Sequence, residues 1–123
     1  MAERRKRGRL SRSGDFDRVY RDGHSHANRF LVLYSFPRTD TPGEGARLGV
    51  SVSRKVGGAA QRSAVKRALR EAFWSLEPPP PADHDFVLVA RPDVAGLVER
   101  DGTEGVAAAL HELAVESGRE EAA

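Results

Sequence analysis

Apolar positions alternate with a period of two in three stretches of the chain. Residues 29–36, RFLVLYSF, place Phe30, Val32, Tyr34 and Phe36 on one side and Leu31, Leu33 and Ser35 on the other. This predicts a strand with apolar cover on at least part of each face. Residues 47–53 send Val50 and Val52 to one face and Gly49, Ser51 and Ser53 to the other. A glycine–serine face leaves room for a backbone or a ligand to approach. Between these runs, residues 37–46 (PRTDTPGEGA) are rich in turn formers and predict a hairpin loop. Residues 85–91, DFVLVAR, are almost continuously apolar before Pro92, as in a strand covered on both faces. His24 and His26 also alternate, so on a strand they face the same way.

Elsewhere the period lengthens to about 3.6, the repeat of a helix. In residues 10–21, Phe16, Val19 and Tyr20 share one face. Ser11 or Ser13 offers a cap, Asp15 suits the first turn, and Gly23 ends the segment. Its two rings read either as core or as an open face for stacking on bases. After Gly57-Gly58, residues Val65, Leu69, Ala72, Phe73 and Leu76 form an apolar stripe. The strand–helix–strand order from 48 to 90 predicts a parallel crossover. Pro78 to Pro81 stop the helix and form an extended linker. Val94 to Val98 predict a helical turn. Thr103 is placed to cap a last helix carrying Val106, Leu110, Leu113 and Ala114. The division expected is a disordered basic arm at 1–9, one α/β domain at 10–116, and a frayed polar tail at 117–123.

Charge sharpens this picture. Residues 1–75 hold 17 Lys/Arg against 7 Asp/Glu, and residues 76–123 hold 3 against 11, so a net +2 conceals halves of +10 and −8. The first part has the composition of a polyanion binder. Within it, Arg62, Lys66 and Arg70 recur every four residues beside the apolar stripe, with Arg67 nearby and Arg54-Lys55 just ahead. Glu71 is the only acid between residues 45 and 76, so i,i+4 ion pairs do not account for these cations. Guanidinium forks and ammonium groups in a column suit a row of phosphates. Tyr34 and Phe36 are ordinary sheet packing or, as in single-strand binders, a base-stacking surface.

Enzymatic chemistry is not legible. The chain of 123 residues has no cysteine, so thiol nucleophiles, disulfides and thiolate metal sites are excluded. It has neither a GxSxG nor a phosphate-loop pattern. Two histidines lack a third ligand for a metal, and Asp83-His84-Asp85 alternates its side chains instead of pairing them. No apolar run reaches the length of a membrane span, and the basic N-terminus has no apolar signal segment, so a cytoplasmic protein is expected.

The chain resembles the bacterial ribonuclease P protein component family over residues 8–116. The resemblance is carried by Phe16 and Tyr20, Asn28-Arg29, Leu33-Tyr34 and RLGVSVSRKVG at 47–57. It continues through Arg62, Val65-Lys66-Arg67, Leu69-Arg70-Glu71, Phe73, Asp85-Phe86-Val87 and Ala90-Arg91. The chain departs from the family's Arg-Asn-Arg signature, having Arg62-Ser63-Ala64. Gly58 and Ala59 also stand in a turn that, in the family, more often begins with asparagine. The resemblance implies an α/β (α+β) two-layer sandwich with a four-stranded sheet and a left-handed βαβ crossover, like a ribosomal-protein domain. That hand opposes the general rule. It implies a monomer bound once to a catalytic RNA, whose Mg²⁺ ions and nucleotides remove the 5′ leader of precursor tRNA. Phe16, Tyr20, Tyr34, Ser51 and Ser53 would hold the leader. Arg54, Lys55, Arg62, Lys66, Arg67 and Arg70 would hold the catalytic RNA. The competing readings are a structural RNA-binding protein of ribosomal type and, more remotely, a DNA-binding regulator, which lacks a clear partner helix.

Overall fold

A computed structural model describes residues 7–38 and 45–122. In chain order the elements are β1 (Gly8–Arg9), α1 (Ser13–Asp22), β2 (His24–Ala27), β3 (Leu31–Pro37), β4 (Arg47–Ser51), α2 (Ala59–Trp74), β5 (His84–Ala90) and α3 (Val94–Ala122). The strands form one sheet in the order β1-β4-β5-β3-β2. β4 runs parallel to β5 through the α2 crossover, as the strand–helix–strand pattern predicts. β5 therefore sits between β3 and β4 and pairs antiparallel with β3. This overturns the expected hairpin: β3 and β4 are not neighbours. Residues 39–44 of that segment lie outside the described residues.

The expected four strands become five, because the end of the basic arm adds to the sheet edge. The Gly8 amide donates to the Ala46 carbonyl (2.9 Å) and the Leu10 amide to the Leu48 carbonyl (3.0 Å). Leu10, 3% exposed, anchors this edge strand from behind. The end of the expected arm pairs with β4, held by backbone hydrogen bonds and by the buried Leu10. Residues 1–6 lie outside the described residues.

The two faces of the sheet are covered unequally. On one side Leu31, Leu33, Leu48, Phe86, Leu88 and Ala90 meet Val65, Leu69 and Phe73 of α2 and Val106, Leu110 and Leu113 of α3. On the other, Val87 meets Val19 of α1 and Leu10, with Phe16, Tyr34, Phe36 and Val89 packed around them. The expected two layers therefore gain a partial third, because a ten-residue helix covers only part of a five-stranded face.

Three helix ends differ from expectation. Arg12, not Ser11 or Ser13, is the N-cap of α1, and no side chain caps it. Thr103 donates to Glu71 Oε2 (3.2 Å) on α2 instead of capping. Within α3 two helical segments meet at Gly102, whose φ of 60° suits glycine, so the helical turn expected at 94–98 and the separate final helix after it are both present. The helix also runs through the supposed tail from Ser117. Ser117 is buried, with its Oγ 3.5 Å from Ser35 Oγ, so α3 covers β3 where fraying was expected.

Candidate nucleic-acid interface

Strand register sorts the α1 side of the sheet into rows. Ala27, Val32, Val89 and Ser51 form one row across β2, β3, β5 and β4. Ser25, Tyr34, Val87 and Gly49 form the next. Phe36, Asp85, Arg47 and Gly8 form the third. α1 lies over the second and third rows and leaves the first largely uncovered.

Gly49 is what allows α1 to sit so close. A Cβ there would lie 2.5 Å from Phe16 Cζ and 3.1 Å from Leu10 Cβ. The space that the glycine–serine face offers is thus partly taken by the protein's own Phe16. The free part lies beside Ser51. There Tyr20, 38% exposed, meets Tyr34 edge to face with ring centroids 4.9 Å apart, and Phe16 lies 6.3 Å from Tyr20. Burial pushes the Tyr20 phenol up, while a hydrogen bond with the Ser51 hydroxyl acts the other way. The result is a trough with aromatic walls and a floor of Val32 and Val89. It offers π-faces, apolar contact and hydroxyls, which suit unpaired bases without selecting among them.

Phe16, Tyr20, Tyr34 and Ser51 come together as a group. Ser53 does not join them: it lies two residues past the end of β4, where its Oγ accepts the Lys55 amide (3.3 Å). Its part is in the turn that presents Arg54 and Lys55, both exposed. Val32 and Val89 were not singled out from sequence. Alternation with Tyr34 reveals Val32, whereas Val89 emerges only from pairing register.

The cations occupy the opposite side of the sheet. α2 buries Val65, Ala68, Leu69, Ala72 and Phe73. Arg62, Lys66 and Arg70 are half-buried along its flank and Arg67 is exposed. Ser63 and Ala64 are exposed on the same helix. Among the described residues, none of Arg54, Lys55, Arg62, Lys66, Arg67 and Arg70 has an ion-pair partner. Arg62 Nε is buried without a hydrogen-bond partner. Glu71, the lone acid of the helix, accepts from Thr103 on α3. Burial and the neighbouring charge of Arg9 both lower the Arg70 pKa from its ordinary value. A cationic flank of this kind is complementary to a phosphate backbone.

The third row holds a structural ion cluster that sequence reading missed. Asp85 is fully buried. It accepts from Arg38 Nη1 (2.6 Å), from Arg47 Nε and Nη2 (2.7 Å each) and from Arg18 Nη2 (3.4 Å). Arg38 also donates to the Gly45 carbonyl (2.8 Å). Burial alone would raise the Asp85 pKa, but the Arg47 and Arg38 guanidiniums overcome it and hold the carboxyl below its usual range. The cluster ties α1, β3, β4 and β5 together beside the trough.

The chain and its fold are similar to those of known proteins. The Ribonuclease P family model matches residues 5–114. A ribonuclease P protein component from Exiguobacterium is 37% identical over 102 residues, covering 83% of this chain and 86% of the relative. The RNase P protein of Staphylococcus aureus superposes with a TM-score of 0.76 at 30% identity, covering 89% of this chain and 94% of that one. The RNase P protein of Thermotoga maritima gives 0.70 at 30% identity, covering 83% and 90%.

Proposed function

The chain belongs to the ribonuclease P protein family, and from that premise we propose how it serves as the protein subunit of ribonuclease P. One observation carries the proposal: an aromatic trough and a cationic helix flank lie on opposite faces of one sheet. A single scaffold can then hold two RNA segments at once without making them compete. The trough of Phe16, Tyr20, Tyr34 and Ser51 takes the single-stranded 5′ leader of precursor tRNA. The turn with Arg54 and Lys55 and the flank of Arg62, Lys66, Arg67 and Arg70 take the catalytic RNA.

The reaction is hydrolysis of one phosphodiester. Water adds at phosphorus, the leader departs with its 3′ oxygen, and the mature tRNA keeps a 5′ phosphate. Magnesium, held mainly by the RNA, would supply the nucleophile and charge neutralisation. Asp85 is committed to arginines, and the described residues contain no group of three or more His, Cys, Asp or Glu that could hold a metal. The protein's share is electrostatic. It screens phosphates of two RNAs as they approach and so raises substrate affinity and effective Mg²⁺ affinity. One protein monomer per RNA, a cytoplasmic setting and a left-handed β4–α2–β5 crossover belong to the same proposal. Among the described residues no helix is long and apolar enough to cross a membrane.

The test is reconstitution with ribonuclease P RNA at low Mg²⁺, following removal of the precursor leader. The chain should stimulate processing and show no cleavage alone. Cleavage without the RNA would refute the division of labour, and absence of stimulation would favour a structural RNA-binding role.

A further inference from the structure

We propose that the cleft between the proline linker and the C-terminal half of α3 is a binding site for a flat, apolar small molecule carrying a positive charge. The cleft encloses about 530 Å³ on the α2–α3 side of the sheet, across the strands from the aromatic trough. Clefts of roughly 300–1,000 Å³ bury most of the surface of a small organic ligand. Leu33 of β3 and Phe86 of β5 form the floor, and Phe73 and Leu76 at the end of α2 form one wall. The sequence explains why the gap stays open. Residues 78–81 are four prolines, which cannot extend α2 and offer ring faces and carbonyls but no backbone donor. On the opposite side α3 presents Ala114, Ser117 and Gly118, whose short side chains leave the gap unfilled.

The lining selects the chemistry of the ligand. The proline rings and the Phe73 and Phe86 rings, whose centroids are 5.1 Å apart, offer apolar surfaces to a planar ring system. Apolar walls without a filler lack contacts that such a ring would supply. One polar group is buried among them. Ser117 is 8% exposed, and among the described residues its hydroxyl has a single contact, 3.5 Å from Ser35 Oγ, at the outer limit of a hydrogen bond. That hydroxyl has capacity to spare for a donor or acceptor on the ligand. The sign of the ligand's charge follows from the rim. On the stretches 77–81 and 111–119, the exposed groups charged at pH 7 are Glu77, Glu112 and Glu116 against Arg119, with His111 neutral. The last turns of α3 add the negative end of its dipole. The field at the cleft therefore draws cations, and Glu77, which lines the cleft itself, is the nearest counter-ion.

The test titrates two dyes onto the full chain in the absence of RNA: thioflavin T, a flat aromatic cation, and anilinonaphthalene sulfonate, an aromatic anion. Thioflavin T should saturate at one molecule per chain, bind about tenfold more tightly than the anion, and raise the urea midpoint of unfolding. Gly118→Leu places a side chain in the ligand's space. A Cβ there meets nothing within 4 Å, and leucine is the better helix former, so the variant keeps its fold while binding falls about tenfold or more. Glu77→Gln should weaken the cation about threefold and leave the anion no weaker. Tyr34→Ala, which alters the trough, should bind thioflavin T as the wild type does. Equal binding by wild type and Gly118→Leu, or no saturable binding at all, would overturn the proposal. A preference for the anion would do the same, as would loss of the dye in Tyr34→Ala, which would put it in the trough.

Discussion

Replacing Asp85 by asparagine tests whether one buried carboxylate organises the α1 side of the sheet. The exchange keeps size and shape but removes the negative charge that Asp85 sets against Arg38, Arg47 and Arg18. The Arg38 side chain has 0% exposure, as has that of Asp85, whereas Arg47 retains 21% and Arg18 28%. Arg47 and Arg18 can turn toward water, but Arg38 cannot. Removing one partner of a buried ion pair costs about 3–5 kcal/mol. Against a total of roughly 5–15 kcal/mol for a domain of this kind, that is a large part of the stability. Urea unfolding followed by fluorescence of the single tryptophan, Trp74, and by circular dichroism reads the loss directly. The dependence on pH supplies the second half of the test. The Asp85 pKa is depressed in the folded chain, so its stabilisation is fully present above the unfolded value of about 3.9. It is lost as pH falls through the folded value. The gap between wild type and Asp85→Asn should therefore be wide at pH 7 and shrink steadily below about pH 4. A gap under about 1 kcal/mol at pH 7, or one unchanged in acid, would refute the assignment of Arg38 as a buried charge dependent on Asp85.

Tyr34→Ala should cost about 1–3 kcal/mol of precursor binding by the reconstituted ribonucleoprotein and leave mature tRNA affinity unchanged; equal weakening of both would argue against a leader trough. Gly49→Ala places a methyl group against the Phe16 ring and must displace α1, so a stability loss of about 1–3 kcal/mol should accompany poorer precursor discrimination. An unchanged melting curve for that variant would mean that Phe16 is not seated on Gly49. Binding of the isolated chain to single-stranded RNA should fall with salt at a log–log slope of roughly −4 if about six phosphates are contacted. A slope near zero would show that stacking, not charge, dominates.

Local periodicity carried much of this protein. The 3.6-residue repeat of Val65, Leu69 and Phe73 beside Arg62, Lys66 and Arg70 defines α2 and its cationic flank without outside information. Alternation likewise defines β3, and the unbroken apolar run defines β5 as an inner strand, because a side chain's face follows from its position in its own element. Neighbour relations were settled by the assembled sheet. β5 lies between β3 and β4, Val89 lies in the trough floor, and Arg9 lies on the α2 side of the sheet, since pairing is chosen by the global burial of both faces. The same holds for Asp85. In the chain it looked like one acid beside a histidine, yet its environment is made by Arg18, Arg38 and Arg47, the nearest of them 38 residues away. Helix ends failed for a related reason: Thr103 has the chemistry of a cap but found Glu71, and only the packing of α3 on α2 brought that partner within reach. A residue's type limits the bonds it can make, and the tertiary structure decides which of them it does make.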